Sequence, residues 1–294
     1  MERRRAGREH PYEGRRAALA TKHGKEQQIA RPFSVALGLD VCVPQNIDTD
    51  LLGTFTGEIP RPGTARQVVL QKAHMGMQMS ELPLGLANEG SFGPHPASPM
   101  LLADTEFLIF VDEEREIQVL ETLVSEQVVA EQCTASSIDE LTPFLARVQF
   151  PTHGLIVRPH GPLAAITSEQ IVKGITDAET LARTIKRSAD VAPDHLALVE
   201  TDLRAHMNPT RQRVILRLAI RLARRLTRLC SSCRTPGWGI VDMVTGLPCE
   251  WCGGATELVR EEVMGCPSCT HRELVPRSDG LRHAPPGQCP HCNP

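Results

Sequence analysis

Residues 15–208 predict an α/β domain with a mixed sheet, joined by an Arg-rich amphipathic helix over 209–229 to a cysteine-rich module over 230–294. Three observations carry that expectation. Apolar runs of strand length alternate with stretches of helical apolar period in the first part. Seven arginines and no acid fall within 209–229, and Arg217, Arg221, Arg224 and Arg228 among them recur at spacings of three and four. Four Cys-x-x-Cys pairs crowd the remainder.

Residues 1–14, MERRRAGREHPYEG, have no apolar period and are expected to form a disordered tail. The first strand, 17–20, ends in the polar run Thr21-Lys22-His23-Gly24-Lys25-Glu26. Helical period follows to Leu37, interrupted by Pro32. A second short strand, 39–43, is closed by Pro44 and the loop Asn46-Ile47-Asp48-Thr49-Asp50, which 53–58 continues. A helix is expected over 63–79, with Val68, Val69, Lys72, Ala73 and Met75 in its period and its methionines as core filler. A third buried strand, 84–87, runs into a turn-rich loop at 88–96. Long β segments at 106–111 and 117–129 follow, then a helix at 138–148 and a strand at 155–157. A helix over 169–188, broken near Gly174, and a strand at 196–199 complete the domain.

Asn208 and Pro209 open the next helix, since asparagine caps well and proline is favoured at the first helical position. Arg217, Arg221, Arg224 and Arg228 line one face, and Ile215, Leu218, Leu222 and Leu226 another. The helix is expected to join the two parts, its basic face docked on the acidic domain or turned to solvent. Residues 17–208 carry 14 Lys/Arg against 25 Asp/Glu, and the C-terminal module five Arg against seven acids. Neither makes a phosphate-backbone binder, so contact with nucleic acid or a protein partner is assigned to 209–229 alone. Aromatic residues are 3% of the chain, which disfavours a stacking surface for single strands.

The pairs Cys230/Cys233, Cys249/Cys252, Cys266/Cys269 and Cys289/Cys292 are separated by 15, 13 and 19 residues. Each can offer two thiolates to one ion, and two such knuckles complete a tetrahedral four-cysteine site. The expected cofactors are therefore two structural zinc ions in a double zinc ribbon, with three pairings of the knuckles open. Few large apolar residues surround them, so metal binding is folding energy here. Trp238 and Trp251 are read as the module's miniature core, and the lone Cys42 and Cys133 as ordinary small buried residues. With no signal-peptide or membrane-length apolar run, and cysteines in metal rather than disulfide spacing, a cytoplasmic protein without membrane contact is expected.

Ligands of open α/β sheets bind beyond the carboxyl ends of the strands, and four strand exits here are dense in polar residues. Lys22, His23, Gly24, Lys25, Lys72, Ser91, Glu200 and Arg204 are the candidate ligand-binding residues, because lysines beside a glycine and a following helix suit phosphate. Asp48, Asp50, Glu58, Glu89, Asp202 and His206 are the candidate catalytic residues. Acids spaced by one residue suit a hard cation such as magnesium, which can stabilise phosphoryl charge. The plainer alternative for each is structural, such as an Asx turn at Asp48. The expected function is a metal-dependent hydrolase or binding protein for a phosphorylated, nucleotide-like ligand. The alternative is a non-enzymatic zinc-ribbon module acting through the arginine helix. A P-loop, a dinucleotide fingerprint, a nucleophile elbow and a His-Glu-x-x-His helix are all missing from the sequence.

Taken together, GRRAALATKHGKE (14–26), DTDLLGTFTGE (48–58), ANEGSFGPHP (87–96), ETDLRAHMNPTR (200–211), TPGWG, GLPCEWCG and CPHCNP resemble a bacterial family known as domain of unknown function family 6671. That resemblance implies that the parts belong together and brings no activity. Residues 15–96 also resemble the inosine-triphosphate pyrophosphatase family through Ala20-Thr21-Lys22-His23-Gly24-Lys25, Gly53-Thr54-Phe55, Lys72-Ala73 and Ala87-Asn88-Glu89-Gly90-Ser91. This likeness implies that Lys25 and Lys72 hold phosphates and that Glu58 and Glu89 bind magnesium. The sequence departs from that family's pattern at His23 and at Asn88-Glu89, and lacks its later base-recognition motifs.

Overall fold

The computed structural model describes residues 10–53, with Asp50 by its backbone alone, and 62–294. Glu58 and the Asp50 side chain, both candidate site groups, lie outside the described residues. The first sheet has five strands in the order β2 (Asp40–Cys42), β1 (Arg16–Ala20), β3 (Leu84–His95), β4 (Ser98–Asp112), β5 (Ile117–Ser125). β1 pairs in parallel with β2 and β3, and β3, β4 and β5 form an antiparallel meander, so the sheet is mixed as expected.

Helix α1 (Glu26–Leu37) connects β1 to β2, and α2 (Ala65–Ser80) connects β2 to β3. The chain steps from β1 to one neighbour and then back across to the other. Right-handed crossovers in opposite directions put the two helices on opposite faces. Side-chain alternation along β4 follows suit. Leu108 and Phe110 pack with Ile29 and Phe33 of α1, while Ile109 and Val111 pack with Val69, Ala73 and Met77 of α2. Thr64 caps α2 by accepting from the Gln67 N–H, and Gln67 reciprocates toward the Thr64 backbone.

Helix α5 (Pro209–Leu226) lies beside α1 on the same face and buries Ile215, Leu218, Ala219, Leu222 and Ala223 there. It is a layer of the α/β core as well as the lead into the cysteine module. Part of its basic face docks as expected, because Arg221 and Arg225 both pair with Glu121 of β5, at 2.5 and 2.8 Å. Within the expected tail, residues 10–14 are placed against the core. Tyr12 is fully buried against Phe110, and its hydroxyl donates to Asp112 at 3.0 Å. A single aromatic ring in a polar run gives no periodic signal, which is why the sequence conceals it.

The second sheet is antiparallel, in the order β6 (Gln132–Ala135), β9 (Ala197–Thr201), β7 (Leu155–Pro159), β8 (Val172–Ile175). Helices α3 (Thr142–Arg147) and α4 (Ala178–Val191) cover one face through Phe144, Leu181 and Ile185. The helix expected over 169–188 is thus a strand followed by a shorter helix, whose start Asp177 caps by accepting from the Thr180 N–H. The turn-rich loop expected at 88–96 is also strand, because β3 pairs with β4 from Leu84 to His95. Cross-strand hydrogen bonding there outweighs the turn preference of its glycines.

Three antiparallel strands, β10 (Gly239–Thr245), β11 (Val259–Gly265) and β12 (Arg272–Pro276), build the C-terminal module. Trp238 stacks on His271 at 5.0 Å, but Trp251 is 76% exposed and is no part of a core. Cys42 and Cys133 are half-buried. Among the described residues no helix is long and apolar enough to cross a membrane.

Candidate functional site

A cavity of about 600 Å³ lies between the two sheets, beyond the carboxyl end of β1 where β3 runs on past it. The exit of β1 supplies Thr21, Lys22, His23 and Lys25, the middle of β3 supplies Asn88, Glu89, Ser91 and Phe92, and α2 adds Lys72. Strand register explains the opposite wall. Gln132, Glu200, Ile156 and Lys173 are successive cross-strand partners, so they share one face of the second sheet, and all four line the cavity. Asp202, Leu203, Arg204 and Arg211 close it where the chain leaves β9 for α5.

Polar side chains under this cavity form a buried network on both faces of β3. Glu89 points toward α2, where its carboxylate accepts from Lys72 Nζ at 2.6 Å, each side chain 8% exposed. Asn88 points the other way and donates to Glu106 at 2.8 Å and to the Phe107 carbonyl at 2.9 Å. Arg211 Nε donates to Glu106 at 2.6 Å, and its Nη1 to the Leu203 carbonyl at 2.7 Å. This pair crosses directly over Gly90, where a Cβ would stand 2.5 Å from Glu106 Oε1. Only glycine fits beneath it.

Charge in so dry a place is conserved only where it is matched. Arg211 and Glu106 match each other; two further groups give charge up. Lys25 donates to the Asn88 carbonyl at 3.2 Å, and burial, reinforced by Arg211, lowers its pKa to about 7. Burial and the neighbouring Glu106 carboxylate raise the Asp104 pKa to about 8. An acid whose folded pKa exceeds its unfolded value of 3.8 holds a proton that the unfolded chain releases, so it erodes stability as pH rises from about 4 to 8. Asp104→Asn is therefore expected to gain roughly 2 kcal/mol or more relative to the parent between pH 5 and pH 8. Urea unfolding at the two pH values measures it, and a gain that does not change with pH would show Asp104 ionised throughout.

Nine of the candidate residues line the cavity: Lys22, His23, Lys25, Lys72, Glu89, Ser91, Glu200, Asp202 and Arg204. Asp48 stands outside the lining but holds Lys22 at 2.9 Å, tying the loop after β2 to the exit of β1. His206 stacks on His23 with ring centroids 5.2 Å apart, and burial, then Arg204, lowers its pKa. Gly24 takes φ 68° at the turn into α1 and also lies outside the lining. Asp202 is fully buried and clamped by Arg204 through Nε and Nη2, the latter at 2.6 Å. Asn88, Glu106, Arg211, Gln132 and Lys173 join the site from outside the candidate residues. Asn88 and Arg211 sit inside the motifs 87–96 and 200–211 that also hold candidate residues, whereas Gln132 and Lys173 lie on β6 and β8, whose short strands carry no periodic signal.

The eight cysteines form two clusters, Cys230, Cys233, Cys266 and Cys269, and Cys249, Cys252, Cys289 and Cys292. The first knuckle pairs with the third and the second with the fourth. Sulfurs at about 2.3 Å from a tetrahedral zinc stand about 3.8 Å apart. Here Cys230–Cys269, Cys233–Cys266, Cys249–Cys292 and Cys252–Cys289 are 3.8, 3.5, 3.9 and 3.6 Å apart, so both sites fit zinc. Backbone N–H groups of Ser268 and Cys269 point at Cys266 Sγ, and that of Gly254 at Cys252 Sγ, an arrangement that suits thiolates. Among the described residues only these clusters bring three or more such ligand atoms within 4.8 Å of one another, so the cavity shows no ready-made magnesium cage.

No curated protein and no solved structure matches the chain, so the likeness of 15–96 to the inosine-triphosphate pyrophosphatase family rests on its motifs alone. A family model, described as Domain of unknown function (DUF6671), matches residues 72–294, spanning β3, the second sheet, α5 and both cysteine clusters. The chain belongs to that family.

Proposed function

We propose that the cavity binds a small phosphorylated, nucleotide-like ligand and that the protein hydrolyses it. The convergence of Lys22, Lys25, Lys72, Lys173, Arg204 and Arg211 on one cavity beyond the carboxyl end of the parallel strand β1 carries this reading. Lys25 is its most telling member. It is buried, bonded to a carbonyl rather than to a carboxylate, and half-neutral near pH 7. An incoming phosphate would supply the missing countercharge. Among the acids of the wall, Glu89 is held by Lys72 and Asp202 by Arg204. Glu200 forms no ion pair among the described residues and has its pKa raised chiefly by burial, which suits it to take a proton from water. Magnesium would arrive on the ligand's phosphates, sharing one or two wall carboxylates. Both cysteine clusters would hold structural zinc.

A thermal-shift panel of nucleotides, sugar phosphates and inorganic phosphate, with and without magnesium, tests the reading, since a ligand of the native state raises apparent stability. At least one phosphorylated compound is expected to raise the melting temperature, and Lys25→Met to weaken its binding by about tenfold or more. Binding at pH 7 should also take up as much as about half a proton, because the phosphate raises a Lys25 pKa that starts at about 7. Calorimetry in buffers of different ionisation enthalpy reads that uptake. No shift across the whole panel would refute the proposal; a shift without phosphate release would leave binding and remove hydrolysis.

A further inference from the structure

A second concavity, of about 460 Å³, lies on the far side of α5, where that helix meets the start of β10. Arg217, Arg221, Arg224, Arg225 and Arg228 line it, with Glu121 as its only acid. Arg221 and Arg225 are committed to Glu121, whereas Arg217, Arg224 and Arg228 are exposed and have no carboxylate partner among the described residues. Five guanidinium groups against one carboxylate is far more positive charge than the fold uses. Ile220 and Ile240 give the groove an apolar floor. β10 is an edge strand of its sheet, paired with β11 alone.

We propose that this groove is a docking site for an acidic peptide segment of another protein, lying extended between the arginine stripe and β10. Guanidinium forks take carboxylates in bidentate geometry, and an edge strand offers backbone groups to an extended chain. Arg217 to Arg225 spans about 12 Å along α5, with Arg228 just past its end, the length of about four extended residues. A nucleic-acid backbone suits the groove less well. No aromatic ring lines it for a base to stack on, and the adjoining module has more acids than bases and would repel phosphates on either side.

The test is fluorescence anisotropy of the zinc-loaded 294-residue chain with labelled hexaglutamate, against hexaglutamine, a single-stranded oligonucleotide and a duplex. Hexaglutamate is expected to bind, hexaglutamine not to, and salt to weaken the complex. Replacing Arg217, Arg224 and Arg228 together by Gln should reduce affinity by about tenfold or more. These side chains are exposed and unpaired, so the variant should keep its circular dichroism and melting temperature. Charge reversal of Glu257 and Asp279, neither of which lines the groove, serves as a control for non-specific charge and should leave the affinity within about twofold. The proposal fails if hexaglutamate does not bind, if the triple variant binds it equally well, or if either nucleic acid binds more tightly through the same arginines.

Discussion

Arg211→Met is expected to destabilise the protein by about 3–5 kcal/mol, because it leaves Glu106 as an uncompensated charge in the core. Both side chains are at most 1% exposed, and Glu106 also holds Asn88 at 2.8 Å, so the loss would spread to the β3 wall of the cavity. The pair itself need not add net stability, since extracting two charges from water offsets much of their attraction. Arg211→Met combined with Glu106→Leu should therefore recover most of the loss. Urea unfolding of the two single variants and the double variant gives the coupling directly. If the singles lose less than about 1 kcal/mol, water or local rearrangement reaches the pair and the network is not the dry structure described. Gly90→Ala strikes the same point from the other side, by pushing a methyl into the space where the two charged groups meet.

The framework of this site was legible from sequence because it depends on periodicity. β1, α1, α2 and α5 bury regular apolar faces, and the polar residues that break the pattern at their ends mark the cavity. Convergence was less legible, since it depends on how two sheets face each other. The row Gln132, Glu200, Ile156 and Lys173 exists only through the registers of β6, β9, β7 and β8. Two of those strands are four residues long, too short for an alternation to stand out. Arg211 shows the same limit in one residue. Within 209–229 it reads as one more arginine of a basic helix, yet it is wholly buried, because the buried acid it meets lies 105 positions away on β4. A charge stripe read from spacing mixes arginines that hold the fold with arginines that face outward. Only the structure separates Arg211, Arg221 and Arg225 from Arg217, Arg224 and Arg228.

Removing metal is expected to unfold the C-terminal module while leaving the α/β core standing. The strands β10 to β12 bury little: Met243 and Leu274 are 55% and 61% exposed. Zinc bound at the two clusters would be worth roughly 10–16 kcal/mol per structural site, and would thus be the main free energy ordering them. The core has its own apolar cluster from α1, α5 and the first sheet, with no residue beyond Leu226 in it. Hydrogen exchange after chelation should show protection lost from 230–294 and kept in β1, β3 and β4. The crossed pairing of knuckles makes a sharper forecast through zinc content. Cys230→Ser with Cys266→Ser strikes one cluster twice and should leave one zinc per chain, held by Cys249, Cys252, Cys289 and Cys292. Cys230→Ser with Cys249→Ser strikes both clusters and should leave none tightly bound. Pairing of neighbouring knuckles would reverse these two outcomes, because Cys230 and Cys249 would then share an ion. A zinc count on the two double variants thus decides whether the second knuckle is threaded between the halves of the first site, as the structure has it, or closed with its neighbour.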